Sequence, residues 1–458
     1  MADRPDMHAT AAGSQYPASS RALNYSRVPG DSGRPLIGHT FDFLRRTQGL
    51  MDDLRTRHGA DFRMQVFGRP VLVVGSPDLV REVLLDREKN FSSERGWYQS
   101  IGKLFARGLM LKDYDDHRTD RRIMQLAFRN EAMRGYVATM NEHIHASIAN
   151  WPRELELYPS LKQLTLDMAA RIFLGLTLGP DTRVINRAFV ATVAASIAVV
   201  RREVPMLAFG RGMRGRRTLE AFFATLIRQR RENPGTDLLS ELCSAKTEDG
   251  ERFSDRAISD HIIFLMMAAH DTTTSSLSSL VHLLLENPLW QEHARDEVRA
   301  RGASPLTWDD RAGLPVLDRC FDETLRLFPP APFLARHTLR ACTLGSIDVP
   351  ANTPLAPSPL VTHRLPEFWS APDRFDPDRF VVDRAEHTAH SHLYYPFGGG
   401  AHVCIGLHFA RMQVKAVMSE LLGRFRLRDP RRFRGTRAFA SVPIPFPRDG
   451  LPVVLDAL

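Results

Sequence analysis

One long helix constrains any fold open to this chain. Ser254 can cap its start, Asp255 stands in its first turn, and Asn287-Pro288 stops it, so the periodic run reaches about Leu285. At 1.5 Å per residue such a helix spans ~48 Å, enough to cross a whole domain. Ile262 to Ala269 is apolar on every face, which predicts burial. The polar run Asp271-Thr272-Thr273-Thr274-Ser275-Ser276 follows in the middle of the same helix. Buried polar groups cost stability unless they face a cavity, water or backbone carbonyls. Two readings follow: the side chains fold back on their own helix, or some of them line a cavity and act on a ligand.

The rest of the chain reads as helix-rich with a small strand component. Phe41 to Arg57 is predicted helical, and Phe62 to Gly68 with Arg69 to Gly75 form a hairpin. Helical periodicity dominates from Ser76 to about Leu327, is replaced by a proline-rich stretch after Pro329-Pro330, and gives way to short strands beyond Leu422. Hydrophobic residues at 43% and charged residues at 25% suit a globular protein with a sizeable core. Residues 1–28 are polar and aperiodic and are expected to be a flexible lead-in to a single domain over 29–458. They lack the apolar h-region of a signal peptide, and no span of about twenty apolar residues suggests a membrane anchor. Four widely spaced cysteines fit unpaired thiols in a reducing cytoplasm. A formal charge of +8 reads for the most part as a solvated, arginine-rich surface. An acidic protein partner and a nucleic acid are the other readings, and no aromatic-interleaved basic patch or zinc spacing supports the nucleic acid.

The most specific stretch is Phe397-Gly398-Gly399-Gly400-Ala401-His402-Val403-Cys404-Ile405-Gly406, ahead of a helical segment Leu407 to Phe425. Glycines let the backbone turn tightly and approach a planar ligand. A cysteine at a helix start is expected to favour thiolate. A thiolate so presented suits an axial position on haem iron.

This run resembles the haem-ligand signature of the cytochrome P-450 family, matching it at Phe397, Gly400, His402, Cys404 and Gly406. The resemblance covers roughly Pro29 to Leu458 and implies the mainly α fold with a small β lobe, of the bacterial kind without an anchor. It implies haem b as cofactor, with Cys404 as iron ligand and Phe397, Gly398, Gly406 and Ala268 around it. Ala268-Ala269-His270-Asp271-Thr272 resembles the family's oxygen-side motif, in which Thr272 would hold a water by hydrogen bond and Asp271 would feed protons. His117 and Arg121, four apart on one helix face, resemble propionate partners, as do Arg336 and His402. Glu323, Arg326 and Arg379 resemble a structural triad that braces the cysteine loop, with Thr362-His363-Arg364 and Trp369 beside it.

By the same resemblance, Trp97, Tyr98, Met266, Met267, Phe333, Leu334 and Ile444 would wall a pocket for a lipophilic substrate: a sterol, fatty acid, terpenoid or retinoid. The implied reaction is a monooxygenation that uses O2 and two electrons from an acidic ferredoxin, flavodoxin or reductase. Arg118, Arg122, Arg411 and Lys415 would form the docking face. Val204 to Phe209, followed by Arg211, Arg214, Arg216 and Arg217, could touch a membrane surface. The alternatives are a peroxide-dependent or isomerising haem-thiolate enzyme, which would not need the Asp271–Thr272 pair, and a haem-binding sensor without turnover.

Overall fold

The computed structural model of the chain describes residues 28–176, 182–235, 237–246, 250, 252–302, 304–431 and 437–458. The expected flexible lead-in lies outside them, except for the buried Val28. The long helix runs Asp255–Glu286, and the Ser254 side chain accepts the Ala257 amide hydrogen as foreseen. It is buried along most of its length because helices pack on every side of it. These are Leu157–Leu174, Ala208–Glu232, Pro315–Leu327 and Leu407–Arg424. Their apolar faces merge into one core that extends from Ile101 to Leu455.

Strands Phe62–Val66 and Arg69–Val74 form the foreseen hairpin, with Phe62 opposite Val73. The second strand continues in parallel into Pro354–Pro357, which pairs antiparallel with Arg336–Thr338, itself paired with Phe91–Ser92. This sheet therefore brings the segment after Pro329-Pro330 against the N-terminal hairpin. The predicted helix over Phe41 to Arg57 is divided: Thr40–Arg45 and Thr47–His58 flank Arg46, whose φ of −142° and ψ of 48° leave helical space. No helix of the described residues is long and apolar enough to cross a membrane.

Candidate active site

The cysteine loop is shaped by close backbone approach. Gly400 has φ 61°, and a Cβ there would sit 1.9 Å from the Leu84 carbonyl oxygen, so any side chain would displace the loop. Gly398, at φ 73°, turns the chain two residues earlier. The Cys404 amide donates to the Phe397 carbonyl at 2.8 Å and closes the loop. The helix starts at Leu407 with Gly406 as its cap, as the sequence pattern required within a residue. Cys243 and Cys320 are buried and Cys342 is half-buried, whereas Cys404 is accessible. All four are unpaired.

Burial pushes the Cys404 thiol up, against the Gly406 amide hydrogen bond and the Arg121 charge that favour thiolate. The helix begins three residues later, at Leu407, so the sulfur stands short of its first turn. A bound cation would reverse this, since coordinating thiols are deprotonated outright.

Four donors gather beside the loop. The His117 and His402 rings lie 4.0 Å apart. Burial, with nearby cations, pulls His402 down to about 2 and His117 down to about 4. Arg336 is only 6% exposed and has just the Ser93 hydroxyl at 3.4 Å and the Ala335 carbonyl at 2.9 Å. Burial pulls it down to about 10, and burial likewise lowers Arg121. Among the described residues no carboxylate reaches either guanidinium within ion-pair distance. Cations buried without counter-charge are costly. The two propionates of haem would supply that charge, so the donor set fits the cofactor. Among the described residues no cluster of three or more His, Cys, Asp or Glu could hold a bare metal ion.

Behind the loop, Glu323, Arg326 and Arg379 are all fully buried. Glu323 accepts from Arg326 Nε at 2.6 Å and Nη2 at 2.8 Å, and from Arg379 Nε at 3.2 Å. Arg326 Nη1 also donates to the carbonyls of His363 at 2.8 Å and Pro372 at 2.7 Å. Its guanidinium lies over the Trp369 ring. Burial, with Arg326 and Arg364 nearby, pulls His363 well below the usual histidine range. The neutral ring can then accept the Tyr395 amide hydrogen at Nε2, 3.1 Å away. The network therefore reaches the chain just ahead of the cysteine loop.

On the other side lies a cavity of about 690 Å³. Trp97, Met267, Ala268, Thr272, Phe333, Leu334, Gly398, His402 and Ile444 line it together with Arg336. Two foreseen wall residues do not. Met266 turns into the helical core at 1% exposure, and the Tyr98 ring stands next to Gly102 instead.

The polar run of the long helix is divided between both readings. Thr274 and Ser276, like Ser278 just past the run, donate to the carbonyls four residues back, so they are satisfied internally. Thr272 also donates to Ala268, at 2.7 Å, but it lines the cavity and its oxygen keeps lone pairs to accept. Asp271 points elsewhere. It pairs with Lys162 at 3.0 Å and stands 3.3 Å from His270 Nε2, while its Oδ2 has no hydrogen-bond partner. Lys162 was invisible in the sequence because its partner lies on a different helix far along the chain.

The expected docking face is corrected. Lys415 is 2% exposed and bonds Asp318 Oδ2 at 2.7 Å, and Arg411 is paired with Asp322 at 2.5 Å. Both tie the helix after Cys404 to the Pro315–Leu327 helix, which also contains Glu323. Arg118 and Arg122 are exposed. The basic stretch after Phe209 is likewise not all surface: Arg216 is buried and paired with Asp260.

A sequence model described as cytochrome P450 matches residues 28–434. Cytochrome P450 136 of Mycobacterium tuberculosis is 38% identical over 93% of this chain and 88% of its own length. Human cytochrome P450 26B1 is 30% identical over 93% of this chain and 85% of its own. Pentalenene oxygenase of Streptomyces avermitilis is 29% identical over 86% and 89%. Among solved structures, retinoic acid-bound cyanobacterial CYP120A1 superposes with a TM-score of 0.86 at 27% identity, covering 94% of this chain and 99% of that one.

Proposed function

Because the chain belongs to the cytochrome P450 family and is a haem-thiolate monooxygenase, we propose that it oxidises a lipophilic small molecule in the cavity between Thr272 and the cysteine loop. In this reading Cys404 holds the iron of haem b, and His117, Arg121, Arg336 and His402 receive the propionates. The bound haem supplies dioxygen activation, with one oxygen atom going to the product and the other to water.

The observation that carries the substrate reading is the wall itself: Phe264, Met267, Phe333 and Ile444 offer apolar surface with few polar groups. Terpenoid and retinoid skeletons come first, given the names of pentalenene oxygenase and the retinoic acid-bound neighbour. A spectral titration against a lipid panel tests this. A low-to-high-spin shift with apolar ligands is expected, and a response confined to small polar compounds would reject it.

In the proposed proton path, Thr272 Oγ1 accepts from a water at the cavity wall while its own hydrogen stays on the Ala268 carbonyl. Asp271 Oδ2, unpartnered, takes up and passes protons, with Lys162 holding the other carboxylate oxygen. Thr272→Ala is expected to bind substrate normally and to lose about 10–100-fold in product while still consuming reducing equivalents. The ratio of product to NADPH oxidised checks this. Lys162→Met leaves Asp271 buried without its cation and should cost about 2 kcal/mol, read from denaturant midpoints.

An electron donor with an acidic face suits the charge of +8 and the exposed Arg118 and Arg122. Four unpaired cysteines support a reducing, cytoplasmic setting. Contact with a lipid surface is supported by the exposed Val204, Met206 and Leu207.

A further inference from the structure

The cavity wall carries a cation that the haem site does not use. Among the described residues no aspartate or glutamate lines this cavity, and besides Arg336 it contains Arg69, Arg95 and Arg201. Arg95 donates to Asn352 Oδ1 at 3.2 Å, and Arg69 is exposed at a strand end. Arg201 differs from both. It is half-buried just beyond the helix Thr182–Ala194, donates to the Ser100 carbonyl at 2.8 Å and the Ser196 carbonyl at 3.2 Å, and sits over the Phe209 ring. Among the described residues no carboxylate lies within 4 Å of it. Burial pulls its pKa down, and no neighbouring charge opposes the shift.

Two carbonyls aim this guanidinium without neutralising it. Its planar fork has five N–H donors, so several stay available after those two bonds. A charged fork, fixed in an apolar wall and lacking a counter-ion, is matched by a carboxylate, and charge-assisted bonds of this kind are the strong ones. We infer that the substrate is an amphiphilic carboxylic acid whose carboxylate is held by Arg201 while its apolar body lies against Phe264, Met267, Phe333 and Ile444. This rests on the lipophilic-substrate reading and narrows it: a neutral sterol or hydrocarbon leaves Arg201 uncompensated.

The test pairs acids with their neutral esters on the haem-loaded protein. Retinoic acid and its methyl ester form one arm, and palmitic acid and methyl palmitate the other, so the arms separate a retinoid from a fatty-acyl body. Affinity is read by equilibrium dialysis as well as by the spin shift. In at least one arm the acid should bind about 10–100-fold more tightly than the ester. Arg201→Gln should bring that ratio close to one by weakening the acid alone, and Arg201→Lys should keep part of the preference. Esters binding as well as acids in both arms would overturn the assignment. So would Arg201→Gln weakening acid and ester alike, since that marks a purely structural arginine. Failure of the underlying reading looks different: the wild-type protein would then bind neither acid nor ester in either arm.

Discussion

Cys404→Ser is expected to abolish the thiolate signature of the reduced, carbon monoxide-bound protein and to remove monooxygenase activity entirely. The reason is chemical and geometric together. Cys404 is the accessible cysteine of the four, and it sits in a loop closed by its own amide on Phe397. Serine keeps the shape but offers a hydroxyl that does not ionise near neutral pH, so the electron-rich axial ligand is lost. Circular dichroism should stay native, which separates loss of the ligand from loss of the fold. Retention of the thiolate spectrum in this variant would assign the iron to another residue.

The second large effect lies in the network behind the loop. Arg326→Ala should destabilise the protein by about 3–5 kcal/mol, because Glu323 would then be a fully buried carboxylate short of its main partner. Three carbonyls that Arg326 serves, on His363, Pro372 and Arg374, would lose a donor at the same time. Denaturant unfolding of the haem-loaded protein reads the change. Haem content should fall along with stability, since the same network positions His363 beneath the chain that enters the cysteine loop. A variant with an unchanged midpoint would show that the guanidinium is dispensable.

Legibility in the sequence followed the range of the interactions involved. The long helix was readable because cap, stop signal and periodicity are local, and its bounds came out within one residue at the C-terminal end. The glycine pattern before Cys404 was readable for the same reason, since the backbone shape is encoded in the residues that form it. Side-chain destinations were less accessible. Met266 and Met267 are neighbours of one apolar type, yet a 100° step around the helix sends one to the core and the other to the cavity. Lys415 read as surface charge until Asp318, on a separate helix, supplied its partner. Lys162 and Arg201 gave no signal at all, because what distinguishes them is the company they keep in space: a buried aspartate in one case and the lack of any acid in the other.

The helix Pro315–Leu327 grips the chain on both sides of the sulfur. Ahead of it, Tyr394 donates to Asp322, and after it Arg411 and Lys415 reach Asp322 and Asp318. Both ends of the segment that contains Cys404 are thus fastened to one helix, which fixes the span between them. Movement elsewhere in the chain would then leave the reach of Cys404 unchanged when the proposed haem is bound.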